Sequence, residues 1–377
     1  MRAFLKPLIW PLAIAVLAAA LYLARVSGEM VDFDVYRTAA ARALSAEPLY
    51  QDADGHYAFK YLPAFAFGMA PFAVLGEEAA RAIWFAFSVG LLAAFVRWSV
   101  SGLPARRRPE RVLIWLAILF MAKFYAHELL LGQANLLLAT LLMAALMASQ
   151  IDQPRVAGAL IAMAAFVKPY ALLLLPWLVF THGLAAGAVG LAGLAAGLLL
   201  PSVVYGWSGN LALLAEWHRT VTSSTAPNLL GADNVSLAAM WAKWLGPGST
   251  ASAFAVVSAV AVLGLVAVIW LQRRRTDEPD YLEVALLMLL IPLLSPQGWD
   301  YVLLLATPAV VCVLDRWRDV TVPWRVLTAS ALALMGLTFF DLMGRTLYAR
   351  FMALSVISVS ALGLAAALAH LRQNELA

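Results

Sequence analysis

Two aspartates, Asp32 and Asp34, stand in the stretch Asp32-Phe33-Asp34-Val35-Tyr36, directly after the first apolar segment of the chain. A carboxylate there is a candidate general base, able to take a proton from a hydroxyl that attacks a second substrate. The alternative is a helix cap or a solvated loop, since aspartate also favours helix starts. Spaced i, i+2 on a helix, the two side chains point about 200° apart. One can face a cavity while the other faces solvent or a partner, so only one is expected to be catalytic. The same loop carries Arg37, Arg42, Glu47, Asp52, Asp54, His56 and Lys60, and no other loop is as rich in acids and bases.

Lys168 lies between the apolar stretches Val156–Val167 and Ala171–Phe180, where a lysine has no packing role. It reads either as an anion ligand, with phosphate the favoured anion, or as a snorkelling residue at a helix end. Gly132-Gln133-Ala134-Asn135 is a tight turn whose amides either bind polar ligands or bond helix to helix. Just before it, Lys123 and His127 are spaced i, i+4 and share one helix face, a candidate lining for a polar cavity. Glu128 is adjacent to His127 and diverges from it, so these two do not make a metal site.

Ser295-Pro296-Gln297-Gly298-Trp299-Asp300-Tyr301 offers hydrogen-bonding groups and aromatic planes between two short spans, or else is a simple loop. The segment 206–250 adds Trp207, Trp217, His218, Asn228, Asp233, Asn234, Trp241 and Trp244. Those tryptophans suit the headgroup layer and also stack on sugar rings. Asp341 and Arg345 read as a local i, i+4 pair. No cofactor is expected, and nothing supports a metal.

The elements that must hold these groups are membrane helices. The chain has 377 residues, 63% hydrophobic and 13% charged, with a mean hydropathy of +0.84, far from the composition of soluble domains. Expected spans are 8–24, 80–98, 112–130, 183–205, 251–271, 324–340 and 348–370, with shorter ones at 134–149, 281–294 and 301–314. Trp10, Pro11 and Tyr22 interrupt the first, which reads as retained rather than as a cleaved signal. Arg106-Arg107-Arg108 with Arg111, Arg273-Arg274-Arg275, and Arg316 with Arg318 mark cytoplasmic ends, as do Arg2 and Lys6. The chain's net charge of +4 is modest and lies mostly in these clusters, so it reports orientation, not nucleic-acid binding.

All these marks agree if 156–181 crosses twice, broken by Pro169, and if 61–75, bounded by Pro63 and Pro71, is a juxtamembrane or re-entrant helix that does not cross. The expectation is one all-α polytopic domain over residues 1–377, a bundle of about 12 transmembrane helices with outer juxtamembrane helices and both termini cytoplasmic. Loops 25–79, 206–250 and 295–300 then share the outer, active side, together with 341–347. Cys312, the sole cysteine, excludes an intrachain disulfide.

In this order the motifs resemble glycosyltransferase family 87, the polyprenol-phosphate-mannose-dependent mannosyltransferases of the C-type superfamily. The resemblance rests on Asp32-Phe33-Asp34-Val35-Tyr36, Pro48-Leu49-Tyr50, Tyr61-Leu62-Pro63, Gly132-Gln133-Ala134-Asn135, Ala157-Gly158 through Lys168-Pro169, Asn234-Val235-Ser236-Leu237 and Ser295-Pro296 through Trp299. It implies a C-type glycosyltransferase bundle, a polyprenyl-phosphate sugar donor, a lipid or glycan acceptor, and inverting transfer on the outer face of a bacterial-type plasma membrane.

By that resemblance Asp32 is the base and Lys168 offsets the donor phosphate charge. Asp34 is the lesser catalytic candidate by its spacing, and Tyr301, at a position where relatives differ, is a candidate phosphate ligand through its hydroxyl. Tyr36, Tyr61, Lys123, His127, Gln133, Asn135, Asn234, Trp299 and Asp300 are expected to line the substrate site. One departure stands out: relatives commonly carry histidine just after the Ser-Pro-x-x-Trp element, where this chain has Asp300 and Tyr301. The alternative function, from composition and broken helices, is a transporter or lipid-linked sugar flippase.

Overall fold

The computed structural model describes residue 16 and residues 18–376. Most of the expected first span 8–24, with the Arg2 and Lys6 that orient it, lies outside the described residues. Among the described residues the protein is all helix, with only an isolated bridge between Asn234 and Trp299. Four helices are long and apolar enough to cross a membrane: Glu77–Ser101, Glu110–Leu131, Ser249–Arg275 and Val356–Asn374. Two further pairs, Leu184–Leu199 with Ser202–Asn228 and Val322–Gly336 with Phe340–Ala353, bend by 92° and 101°, giving up to six spans if each pair is counted as one.

Val256, Val257 and Val260 on Ser249–Gln272 are more than half exposed. A naked valine face on a helix whose backbone bonds are satisfied internally is a lipid-facing surface. By contrast Asp280–Leu294 is buried from Tyr281 through Leu293, and the run Asp300–Asp315 is buried throughout. A helix that is apolar on every side belongs at the centre of a bundle.

Polar groups collect at two ends. At one, the Arg107 and Arg108 amides donate to Asp315, Arg273 pairs with Asp280 at 2.7 Å and with Glu283 at 3.1 Å, His182 lies 3.4 Å from Asp280, and Asn374 donates to the Asp319 carbonyl. The helix Glu110–Leu131 leaves this end and arrives at Gly132 in the other, a rise of about 33 Å at 1.5 Å per residue. Pro154–Val167 runs toward that second end and stops at Lys168, and Pro169–His182 returns to the arginine end. The break is at Lys168, whose backbone is extended because Pro169 disfavours helix in the residue before it.

Four segments depart from expectation. Residues 206–228 are helix rather than loop: Gly206, at φ +68°, lets the chain turn, and the helix then lies across the end of the bundle. Its polarity lowers the hydropathy without removing helix propensity. The stretch 341–347 is likewise inside a helix, Phe340–Ala353, and 348–370 is not one span, because the chain breaks at Leu354 and Ser355, the latter at φ +53°. Finally, 301–314 is helical in two styles, 3-10 over Asp300–Ala306 and α over Thr307–Asp315. The region 61–75 forms two short helices, Pro63–Gly68 and Ala70–Ala73, each far too short to cross.

Candidate active site

The helix Val31–Leu44 lies at the end of the bundle away from the arginines, with Phe33, Tyr36, Ala39, Ala40 and Ala43 turned inward. Phe33 stacks on Trp84 at 5.5 Å between ring centroids, and the Trp84 indole donates to the Gly132 carbonyl at 2.9 Å. Gly132 adopts φ +67°, and a Cβ there would meet the Phe33 Cβ at 2.8 Å. This contact seats the turn directly against the helix bearing the two aspartates.

The aspartates diverge as their spacing requires. Asp34 accepts two hydrogen bonds from Arg81, at 3.1 and 2.5 Å, and Arg81 also reaches Glu77 and the Ser27 carbonyl. Asp32 opens instead on a cavity of about 270 Å³, and it is the sole carboxylate among the described residues lining it. Burial raises its pKa above the ordinary carboxylate range, while Gln133, Lys168 and Lys60 pull the other way.

One wall is a hydrogen-bonded array. Tyr36 and Tyr61 hydroxyls lie 2.6 Å apart, and both donate to Gln133 Oε1, at 3.0 and 3.2 Å. Gln133 Nε2 in turn donates to the Tyr301 hydroxyl at 3.2 Å. The opposite wall carries Trp217, Gln297 and Trp299. Gln297 donates to Ser224 and Thr225 at 3.0 and 3.2 Å, which joins the segment 295–301 to the transverse helix Ser202–Asn228. Lys168 completes the floor from the helix break.

Asp32, Tyr36, Tyr61, Gln133, Lys168, Trp299 and Tyr301 are thus brought together. The remaining candidates are elsewhere, each for a visible reason. Asp34 is held by Arg81 outside this cavity. Asn135 is fully buried and donates to Glu128 at 2.8 Å, while Glu128 also accepts the Leu136 amide at 2.9 Å, so the pair locks the start of helix Asn135–Gln150. Asn234 is buried against the Pro296 carbonyl at 2.9 Å and accepts from the Ser236 amide, a clip rather than a lining group. Asp300 points behind the wall to His127, 3.4 Å away, and Lys123 donates to the Thr338 carbonyl. Lys123, His127 and Asp300 therefore form a second polar cluster, with the His127 ring 5.0 Å from that of Tyr301.

Sequence reasoning did not select His56, Lys60, Tyr170, Trp217 or Gln297 as site residues, yet all line the cavity. Lys60 was visible only as a loop charge, and Trp217 as one of several tryptophans suited to the headgroup layer or to sugar rings. Nothing in their spacing joins them, whereas in the fold the Trp217 indole donates to the Lys60 carbonyl at 3.2 Å. Among the described residues no three His, Cys, Asp or Glu side chains converge to hold a metal ion.

Fold and cavity define a class: an integral membrane protein whose helices carry, at one end, a polar chamber with one carboxylate and two ammonium groups. A model of glycosyltransferase family 87 matches residues 59–296, well over half of the chain, and the protein belongs to that family. It is therefore a glycosyltransferase, with hexosyl transfer the fitting activity, and the transporter or flippase alternative falls away. The matched stretch includes Tyr61, Gln133 and Lys168 and begins after Asp32. No match to the chain was found among the curated proteins or among the solved structures.

Proposed function

We propose that this enzyme transfers a sugar, mannose by family resemblance, from a polyprenyl-phosphate donor to a hydroxyl of a lipid or glycan acceptor, with inversion. The carrying observation is that Asp32, alone among the described carboxylates, lines the cavity together with Lys168, whose ammonium makes no hydrogen bond to a described residue. In this reading Asp32 takes the proton of the acceptor hydroxyl as that oxygen bonds to the anomeric carbon. The bond from that carbon to the phosphate oxygen breaks, and its electron pair leaves with the lipid phosphate. The leaving group is already a stable anion, so no general acid is required. Lys168 and the Tyr301 hydroxyl hold the phosphate, where fixed cations stabilise the charge that develops. Trp217 and Trp299 offer planes for sugar rings.

The burial that raises the Asp32 pKa makes it a stronger base than a solvated carboxylate. The gathering of arginines at the far end supports a cytoplasmic location for that end and an outward site; a bacterial-type plasma membrane is proposed from the family resemblance alone. A C-type bundle of about 12 crossings with both termini inside belongs to the same proposal and rests on the family resemblance; four to six of the described helices or bent pairs are long and apolar enough to cross. The test is transfer of labelled sugar from polyprenyl-phosphate-mannose by purified protein, offered a lipid and glycan extract, with Asp32→Asn alongside. Product from wild type alone is expected. Equal product from both proteins would remove Asp32 as the base.

A further inference from the structure

Two lysines of the cavity have ammonium groups without a hydrogen bond or close ion pair to any described residue, Lys60 and Lys168. Neither is a surface lysine swinging in solvent. The Lys60 backbone is clamped on both sides: its own carbonyl accepts from Trp217 at 3.2 Å, and the next carbonyl accepts from Tyr50 at 2.7 Å. Phe59, just before it, is 1% exposed. The Lys168 amide and carbonyl are both bonded, to the Ala164 carbonyl and the Ala171 amide. Fixed main chains thus deliver two unpaired cations to a cavity with one carboxylate.

A buried ammonium without a partner is costly, and each lysine has its pKa lowered by burial. Asp32 acts on both, and Glu128 also offsets Lys168. A donor phosphodiester brings one negative charge, which a single lysine can meet. During transfer the phosphate gains a second charge as Asp32 loses its own to the acceptor proton. One negative charge thus moves from Asp32 to the phosphate, so the cation that faces Asp32 before transfer is needed at the phosphate once the leaving group forms.

Resting on the phosphate-donor reading above, we infer that Lys60 is the second phosphate ligand, recruited by the leaving lipid phosphate and selective for a phosphate monoester over a diester. Lys168 serves both states. Lys60 therefore acts chiefly on the rate of transfer and on retention of the lipid-phosphate product.

Binding of dodecyl phosphate and of methyl dodecyl phosphate to the full-length protein in detergent, by calorimetry at about pH 8, tests this. The monoester is then a dianion and the diester a monoanion, with matched tails. Wild type is expected to prefer the monoester. Lys60→Met should weaken the monoester by roughly tenfold to a hundredfold, the scale of one charge-assisted hydrogen bond, and leave the diester within about twofold. Lys60→Arg should restore the preference, and Lys60→Met should lower kcat more than it raises KM. If Lys60→Met weakens neither ester, or both alike, while Lys168→Met weakens both, the assignment of Lys60 is wrong and the donor reading stands. If Lys168→Met also changes neither, the phosphate-donor reading itself fails.

Discussion

Gly298 lies in the wall that carries Trp299 and Tyr301, and its environment allows a sharp test of how exactly that wall must sit. A Cβ added there would meet the Pro292 carbonyl oxygen at 1.9 Å, its carbon at 3.0 Å and the Ser295 carbonyl oxygen at 3.2 Å. An ordinary carbon–oxygen contact is about 3.3 Å or more, so Gly298→Ala demands a displacement of about 1.4 Å. The obstacle is backbone of the most buried helix, which cannot yield as a side-chain tip would. The segment 295–301 must move instead, and with it Trp299, Tyr301 and the bond from Gln133 to Tyr301.

Misplacement by about 1 Å costs catalysis roughly a hundredfold, and overpacking costs about 1–3 kcal/mol of stability. The expected outcome is a folded protein with a transfer rate lower by about two orders of magnitude and a modestly lower Tm. Gly264→Ala, on the lipid-facing helix with nothing within 4 Å of its Cβ, is the silent control. Sugar transfer, donor binding and thermal unfolding in the same detergent measure all three. A Gly298→Ala enzyme with wild-type rate and donor affinity would refute the reasoning that this wall forms the site.

Other outcomes follow from the charges. Because burial raises the Asp32 pKa, transfer should fall as pH drops through a value above the ordinary carboxylate range, and a pH–rate profile with an acid limb at the solvated aspartate value would count against the base. The sign for stability is opposite: a raised folded pKa binds protons more tightly than the unfolded chain, so this group costs stability as pH rises through the folded pKa. Asp32→Asn should therefore raise Tm at neutral pH while lowering transfer by about a hundredfold to ten-thousandfold.

Asp34→Asn should instead cost about 1 kcal/mol, since its pair with Arg81 is partly exposed, and should reduce transfer far less. Thermal unfolding with rate measurement separates the two aspartates, and matching losses would undo the division of roles. Glu128→Ala removes the acceptor of the Leu136 amide and leaves the Asn135 side chain only its longer bond to Gln133, at 3.4 Å, and should cost about 1–3 kcal/mol. An unchanged Tm would show that this lock carries no weight.

The sequence by itself determined the membrane character, the helices at 80–98, 112–130, 134–149, 251–271 and 281–294, and the short or broken helices around Pro63 and Lys168. Runs of apolar residues and prolines act locally, so they can be read locally. The divergence of Asp32 from Asp34 was also legible, because helical period alone turns them apart.

What only the tertiary structure decided is which polar groups meet. Gly206 and Ser355 redirect helices by backbone conformation that hydropathy does not record, and the redirected helix Ser202–Asn228 brings Trp217 over Lys60. Asn135 and Asn234 look the same in sequence as Gln133, yet their amides are consumed by Glu128 and by the Pro296 carbonyl, while one edge of Gln133 remains with the cavity tyrosines. A side chain's type fixes what it can bond. Only the packing of distant helices fixes whether its partner is protein or substrate.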